Sequence, residues 1–153
     1  MRLIAFALLA VSAIPAGSGR LTAQEAPVVE VERLAEGRWR ATYRLAGAVH
    51  ALHFARSAGF YRERVWTPTT PGYRFGRDGD RQVVLLDQGV APSREIVFEF
   101  PEFTDPLPKE YELFLPFQDG AVALYTGHFN AIVLTDDAAI AVEFISQCVT
   151  SAQ

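Results

Sequence analysis

The chain reads as an all-β protein, an antiparallel β-sandwich of about nine or ten strands. Apolar and polar residues alternate with period two in short segments such as Arg38–Leu45 and Glu95–Phe100. Turn residues, including Asp78-Gly79 and Asp119-Gly120, separate these segments at short intervals. No stretch carries a convincing amphipathic helix period. A closed β-barrel has the same strand count, and periodicity does not separate the two.

Residues 1–23 stand outside that pattern. Arg2 precedes twelve mostly apolar residues, Leu3 to Ile14, and Pro15 and small residues follow. This is the layout of a secretory signal peptide. A membrane-spanning helix needs about 20 apolar residues, more than this run supplies. The expectation is therefore a chain exported to the periplasm or secreted, with no membrane span after cleavage. The favoured cleavage bond is Ala23–Gln24, and the competing bond follows Ser18. No cysteine lies near either bond, which argues against a lipid anchor.

Residues 24–153 then form the single domain. Val28–Leu34 and Arg38–Leu45 flank a turn at Ala35-Glu36-Gly37. In the second segment Trp39, Ala41, Tyr43 and Leu45 share one face, and Arg38, Arg40, Thr42 and Arg44 share the other. That predicts a half-buried strand with a basic outer face. Val49–Ala55 and Phe60–Trp66 read as further strands. Thr67–Gly72 is loop by composition. Tyr73–Phe75 and Gln82–Leu86 form a hairpin across Gly76–Asp80, where the Asp-Gly pair accepts positive φ. Glu95–Phe100 is a strand, and the Pro-rich stretch Pro101–Pro108 is a connection or an edge. Tyr111–Phe117 and Ala121–Thr126 form the strongest hairpin signal. Phe129–Leu134 and Ala139–Ile145 flank Thr135-Asp136-Asp137, and the last segment is either a strand or one short helix.

Composition narrows the function classes. Half of the 153 residues are apolar and eleven are Phe, which argues for a packed core. Removal of residues 1–23 takes away Arg2 and Arg20 and no acid, so the formal net charge deepens from −4 to −6. Such a chain has no electrostatic reason to hold nucleic acid. Residues 33–81 carry ten Arg against four acids, and residues 82–153 carry two cations against eleven acids. Either the basic and acidic strands interleave, or the surface is dipolar and docks a protein partner or a second copy. Cys148 is the one cysteine, so an intrachain disulfide is impossible. It is a buried or terminal thiol, or the site of an intermolecular bridge.

No motif of catalysis is present: no HExxH helix, GxSxG elbow, phosphate-binding loop or CxxC pair. His50 and His53 fall on opposite faces of one strand, which makes them poor joint metal ligands unless a bulge intervenes. Glu95/Glu99 and Glu110/Glu112 read as solvated rows rather than paired catalytic acids. GRDGDR at Gly76–Arg81 lacks the strand–loop–helix setting of a phosphate cradle. The expectation is a non-enzyme with neither cofactor nor metal. The candidates for a ligand or partner surface are Trp66 and Tyr73 around the Thr/Pro loop, the neighbouring Arg62, Arg64 and Arg74, and His128. The alternative for Trp66 and Tyr73 is that they close one end of the core.

One segment carries a resemblance. YELFLPFQDGAVALYTGHF, Tyr111–Phe129, runs through a strand ending Pro-Phe, an Asp-Gly turn and a strand ending Tyr-Thr-Gly-His. It resembles part of the N-terminal β-domain of exported zinc metallopeptidases of the glycyl-aminopeptidase type. The stretches Trp39–Leu45 and Arg64-Val65-Trp66 are compatible with it. In that family the β-domain packs on the catalytic domain and does not hold the zinc. No zinc-binding helix follows here, so the resemblance implies a stand-alone relative or a fragment, and peptidase activity does not carry over from it. The leading expectation is thus an exported, non-catalytic β-domain that docks another envelope or secreted protein. The alternative is a carrier of a small apolar ligand with a barrel cavity.

Overall fold

Eleven antiparallel strands form three sheets in the computed structural model, which describes residues 27–103, 105–107, 111–135 and 139–142. The strands are β1 (Val28–Arg33), β2 (Arg38–Arg44), β3 (Val49–Phe54), β4 (Thr67–Pro68), β5 (Tyr73–Asp78), β6 (Arg81–Leu86), β7 (Glu95–Pro101), β8 (Phe114–Pro116), β9 (Val122–Leu124), β10 (Ala131–Thr135) and β11 (Ala139–Val142). One sheet has the order β1-β2-β7-β4, the second β11-β10-β3-β6-β5, and β8-β9 is a separate hairpin. The two large sheets face each other as a sandwich and neither closes into a barrel, so the barrel alternative is set aside.

Period two decides which residues meet between the sheets. Trp39, Ala41 and Tyr43 of β2 and Ile96, Phe98 and Phe100 of β7 point inward from the first sheet. Leu52 and Phe54 of β3, Val84 of β6 and Val133 of β10 answer from the second. The Phe98 ring lies 6.1 Å from Phe54 and 5.8 Å from Phe75, bridging the two layers. Offset and edge-on ring pairs of this kind add to the area they bury.

The outer face of the first sheet carries part of the charge split. Arg40 stands opposite Glu99 on one side and Glu32 on the other, at 2.7 and 3.2 Å. Arg44 pairs with Glu95 at 3.2 Å and also with Glu30, Arg38 pairs with Glu99, and Arg33 reaches Glu102 at 2.8 Å. A basic stripe thus lies between two acidic ones. The basic and acidic halves of the sequence neutralise each other here by cross-strand pairing, and this face is interleaved rather than dipolar.

Two corners needed tertiary partners. The Tyr73 hydroxyl donates to the Val49 carbonyl at 2.7 Å and accepts from the Ser93 amide at 2.9 Å. That pins the β2–β3 corner to the entry of β7. Gly72, at φ 80°, sits where an added Cβ would lie 2.5 Å from Val90 Cγ1, so the loop before β5 requires glycine on both counts.

Several expected elements differ. Phe60–Trp66 is not a strand: a 3-10 turn at Ala58–Phe60 leads into α1 (Arg62–Val65). Gly59 and Phe60 both adopt left-handed φ, 67° and 61°, which reverses the chain and turns Tyr61, Arg62 and Trp66 inward. In this stretch Tyr61/Val65 and Arg62/Trp66 repeat at i,i+4, a pattern the alternation concealed. The expected loop Thr67–Gly72 contributes β4. The Tyr111–Phe117 hairpin pairs over only three residues per strand, and Thr126–Phe129 is a 3-10 turn. Ala139–Val142 is a strand. The leader, its cleavage bond and Cys148 lie outside the described residues.

Two outcomes are expected. Phe98→Ala, which empties the middle of the interlayer contact, should lose about 3–5 kcal/mol in urea unfolding. Glu99 titrates below the usual carboxylate range, chiefly because Arg40 donates hydrogen bonds to it, with Arg38 adding charge. A carboxyl so depressed adds stability above its unfolded pKa, about 4.3, and that stability fades as pH falls through the folded value. The urea midpoint of Glu99→Gln should therefore fall below that of the parent chain at pH 7, and the gap should close on acidification below pH ~4.

Candidate functional site

Among the described residues, nothing covers the outer apolar side chains of the β8–β9 hairpin. Asp119-Gly120 makes the turn: the Phe117 amide donates to Ala121 O at 2.8 Å, and the Ala121 amide to the Asp119 carboxylate at 3.0 Å. Phe114 anchors the hairpin to the core, its ring 5.4 Å from Trp39 and 6.2 Å from Phe100. Alternation then sends Leu115 outward. Tyr111, Leu115 and Phe117 are 70%, 48% and 57% exposed, high values for large apolar side chains, and Leu115 and Phe117 fall on one face of the strand at i,i+2. Beside them lies an open pocket of about 440 Å³ lined by Tyr111, Glu112, Leu115 and Tyr125.

His128 stands behind two of the pocket's lining residues, Tyr111 and Tyr125. It is fully buried in the Thr126–Phe129 turn, and its Nε2 lies 2.7 Å from the Tyr111 carbonyl. A carbonyl only accepts, so Nε2 carries the proton. The His128 ring meets Tyr125 edge-on at 5.5 Å and Tyr61 at 5.4 Å. The Tyr125 amide donates to Leu113 O at 3.0 Å. Together these contacts set the Tyr111 and Tyr125 rings 5.0 Å apart at the pocket wall. Glu112 beside them forms no ion pair with any described residue.

The remaining candidates fall elsewhere. Arg62 is not at the surface: it is fully buried, with its guanidinium 4.1 Å from the Phe54 ring, 4.8 Å from Tyr61 and 5.3 Å from Trp66. It donates to Arg56 O at 2.8 Å, Gln82 Oε1 at 3.0 Å and His128 O at 2.7 Å. Burying a cation is costly unless donors are satisfied in this way. Trp66 is likewise in the core, stacked on Phe100 at 4.4 Å and near Phe129 at 5.5 Å. Tyr73 is buried by its hydroxyl contacts, and burial pushes its phenol pKa up. The aromatic loop thus closes the core rather than forming a surface platform. Arg64 is exposed on α1, and Arg74 is exposed and pairs with Asp87 at 2.6 Å. Of the six candidates, Arg62, Trp66 and His128 belong to one buried assembly, and His128 also contacts Tyr111 and Tyr125, two residues that line the open pocket.

The other chemistry-bearing groups also separate. The pairing of β10 with β3 shifts register at Leu134/Thr135, opposite His50, which is exposed, while His53 is half-buried. His53 Nδ1 lies 3.8 Å from Asp78. Among the described residues no three His, Cys, Asp or Glu side chains are grouped to hold a metal ion. Glu95 and Glu99 serve arginines, and Glu110 lies outside the described residues. Gly76–Arg81 is a plain hairpin, with Gly79 at φ 60°. No helix among the described residues is long and apolar enough to cross a membrane.

Of the pocket residues, the sequence offers Glu112 only as part of a solvated acidic row, and Tyr111, Leu115 and Tyr125 carry no site signal of their own. The available signal was that Leu113, Phe114 and Leu115 place apolar side chains on both faces of a hairpin that has only one face to bury.

Arg62→Ala strips the donors from two carbonyls and Gln82, so unfolding stability should fall by about 3 kcal/mol or more. Arg64→Ala, two residues on but exposed, should stay within about 0.5 kcal/mol of the parent chain. Urea unfolding followed by tryptophan fluorescence checks both. Comparison of the chain with protein-family models, with curated proteins and with solved structures found no match.

Proposed function

We propose that this chain is an exported, non-catalytic β-domain that docks another envelope or secreted protein through the β8–β9 end of its sandwich. The observation that carries the reading is the uncovered apolar group Tyr111, Leu115 and Phe117 beside an open pocket. Soluble domains seldom leave large side chains clustered in water without a partner for them. Tyrosine is also among the residues that concentrate binding energy at interfaces. The arginines of the first sheet are engaged within the molecule, which leaves the hairpin end as the better docking surface. Export rests on the leader sequence, residues 1–23. The resemblance of Tyr111–Phe129 to a β-domain that packs on a catalytic neighbour falls on the same hairpin and supports the same kind of role.

Site-specific photo-crosslinking in the exporting cell tests this reading. A benzoylphenylalanine in place of Leu115 should give a discrete adduct of higher mass, and one in place of the exposed Glu32 on β1 should not. Phe117→Asp, combined with the probe at 115, should abolish the adduct without lowering the urea midpoint. No adduct from position 115, or the same adduct from both positions, would overturn the proposal.

A further inference from the structure

The pocket at the hairpin end combines two tyrosine rings with one carboxylate, and that combination selects charge. Tyr111 and Tyr125 are in ring contact, their centroids 5.0 Å apart and their planes 59° from parallel, and both line the pocket. Glu112 lines the same pocket, is half-buried, and forms no ion pair with any described residue. A carboxylate set among apolar walls repels anions and gains little from a purely apolar guest, which would shut it off from water. A cation on an apolar stem satisfies both parts of the lining. Its charge meets Glu112, and its stem and head lie against ring faces that attract positive charge.

The molecule already uses this contact. The Arg56 guanidinium lies 5.9 Å from the Tyr125 centroid, and Arg77 lies 4.2 Å from Phe60. Arg33 stands 5.8 Å from Trp39. The outward-facing Tyr111 ring has no cation over it among these pairs.

Resting on the docking role proposed above, we infer that the Tyr111–Glu112–Tyr125 pocket receives a lysine side chain projecting from the partner protein, with Leu115 and Phe117 covering the apolar residues beside it. His128 acts as a positioning residue: its bond to the Tyr111 carbonyl fixes the backbone from which the first ring and the carboxylate project. The occupant is a protein side chain rather than a free amine, since the proposed docking face includes the exposed Phe117, which is outside the pocket lining.

The test uses the full chain with two probe peptides, acetyl-Gly-Lys-Leu-Gly amide and the same peptide with norleucine for lysine. Amide resonance shifts report the binding. The lysine peptide should shift residues 111–115 and 125 and bind about 5-fold or more tighter than the norleucine peptide. Raising the salt to 0.5 M should narrow that ratio. Glu112→Gln should reduce lysine-peptide affinity about 5-fold and leave norleucine-peptide affinity unchanged. Tyr111→Leu should lower the preference while the remaining spectrum stays that of the folded chain. Equal binding of the two peptides, no shift at these residues, or an unchanged preference in Glu112→Gln would each overturn the inference. The crosslink from position 115 reads docking separately. An adduct that persists without lysine preference removes the cation pocket alone, and a missing adduct removes the docking role itself.

Discussion

The buried guanidinium of Arg62 is the constraint around which the rest of the structure is organised. A desolvated cation must find acceptors and polarisable neighbours. Arg62 finds them in four separate parts of the chain: the Arg56 carbonyl after β3, Gln82 on β6, the His128 carbonyl before β10, and the rings of Phe54, Tyr61 and Trp66. Meeting those acceptors requires α1 where alternation suggests a strand. It also requires the left-handed pair Gly59 and Phe60 that turns the chain inward. Arg77 helps to hold that unusual pair, stacking on Phe60 while making two 3.0 Å bonds to Glu63.

From this centre the aromatic core extends to the surface through continuous contacts. Trp66 touches Phe54, Tyr61, Phe98, Phe100 and Phe129. Phe100 passes the contact to Phe114, the anchor of the β8–β9 hairpin. Tyr43 ties the first sheet to the same region, its hydroxyl donating to the Phe129 carbonyl at 2.8 Å, and burial holds that phenol protonated far above its ordinary range. His128 closes the path, bonded through its carbonyl to Arg62 and through its ring to the Tyr111 carbonyl. The proposed docking end is therefore not a loose loop but the outer rim of the core, placed by the packing behind it. Such support is what a binding surface needs to keep its geometry before a partner arrives.

Electrostatics divides the molecule into two kinds of surface. On the first sheet, Arg40 and Arg44 are matched by glutamates on both neighbouring strands and Arg38 by Glu99 on β7, so the charge of that face is largely spent internally. At the hairpin end, Glu112 is unmatched among the described residues and sits beside exposed rings. A linear count of charges suggested a molecule with a basic half and an acidic half. Strand pairing folds the two halves onto each other, and what survives for recognition is local.

Sequence alone determined the properties that depend on neighbours along the chain. The leader layout, the β-rich periodicity, the inward face of β2, the Asp-Gly turns and the lack of any catalytic motif are of that kind, since each depends on residues a few positions apart. The tertiary structure alone decided the open sandwich over the barrel, which depends on whether distant sheet edges meet. It decided that Trp66, Tyr73 and Arg62 belong to the core, because a tryptophan in a Thr/Pro-rich stretch has the same local pattern whether buried or exposed. It also decided the pocket, whose residues Tyr111, Glu112, Leu115 and Tyr125 carry no motif. They become a site only because Phe114 and His128 turn inward and leave their neighbours facing water.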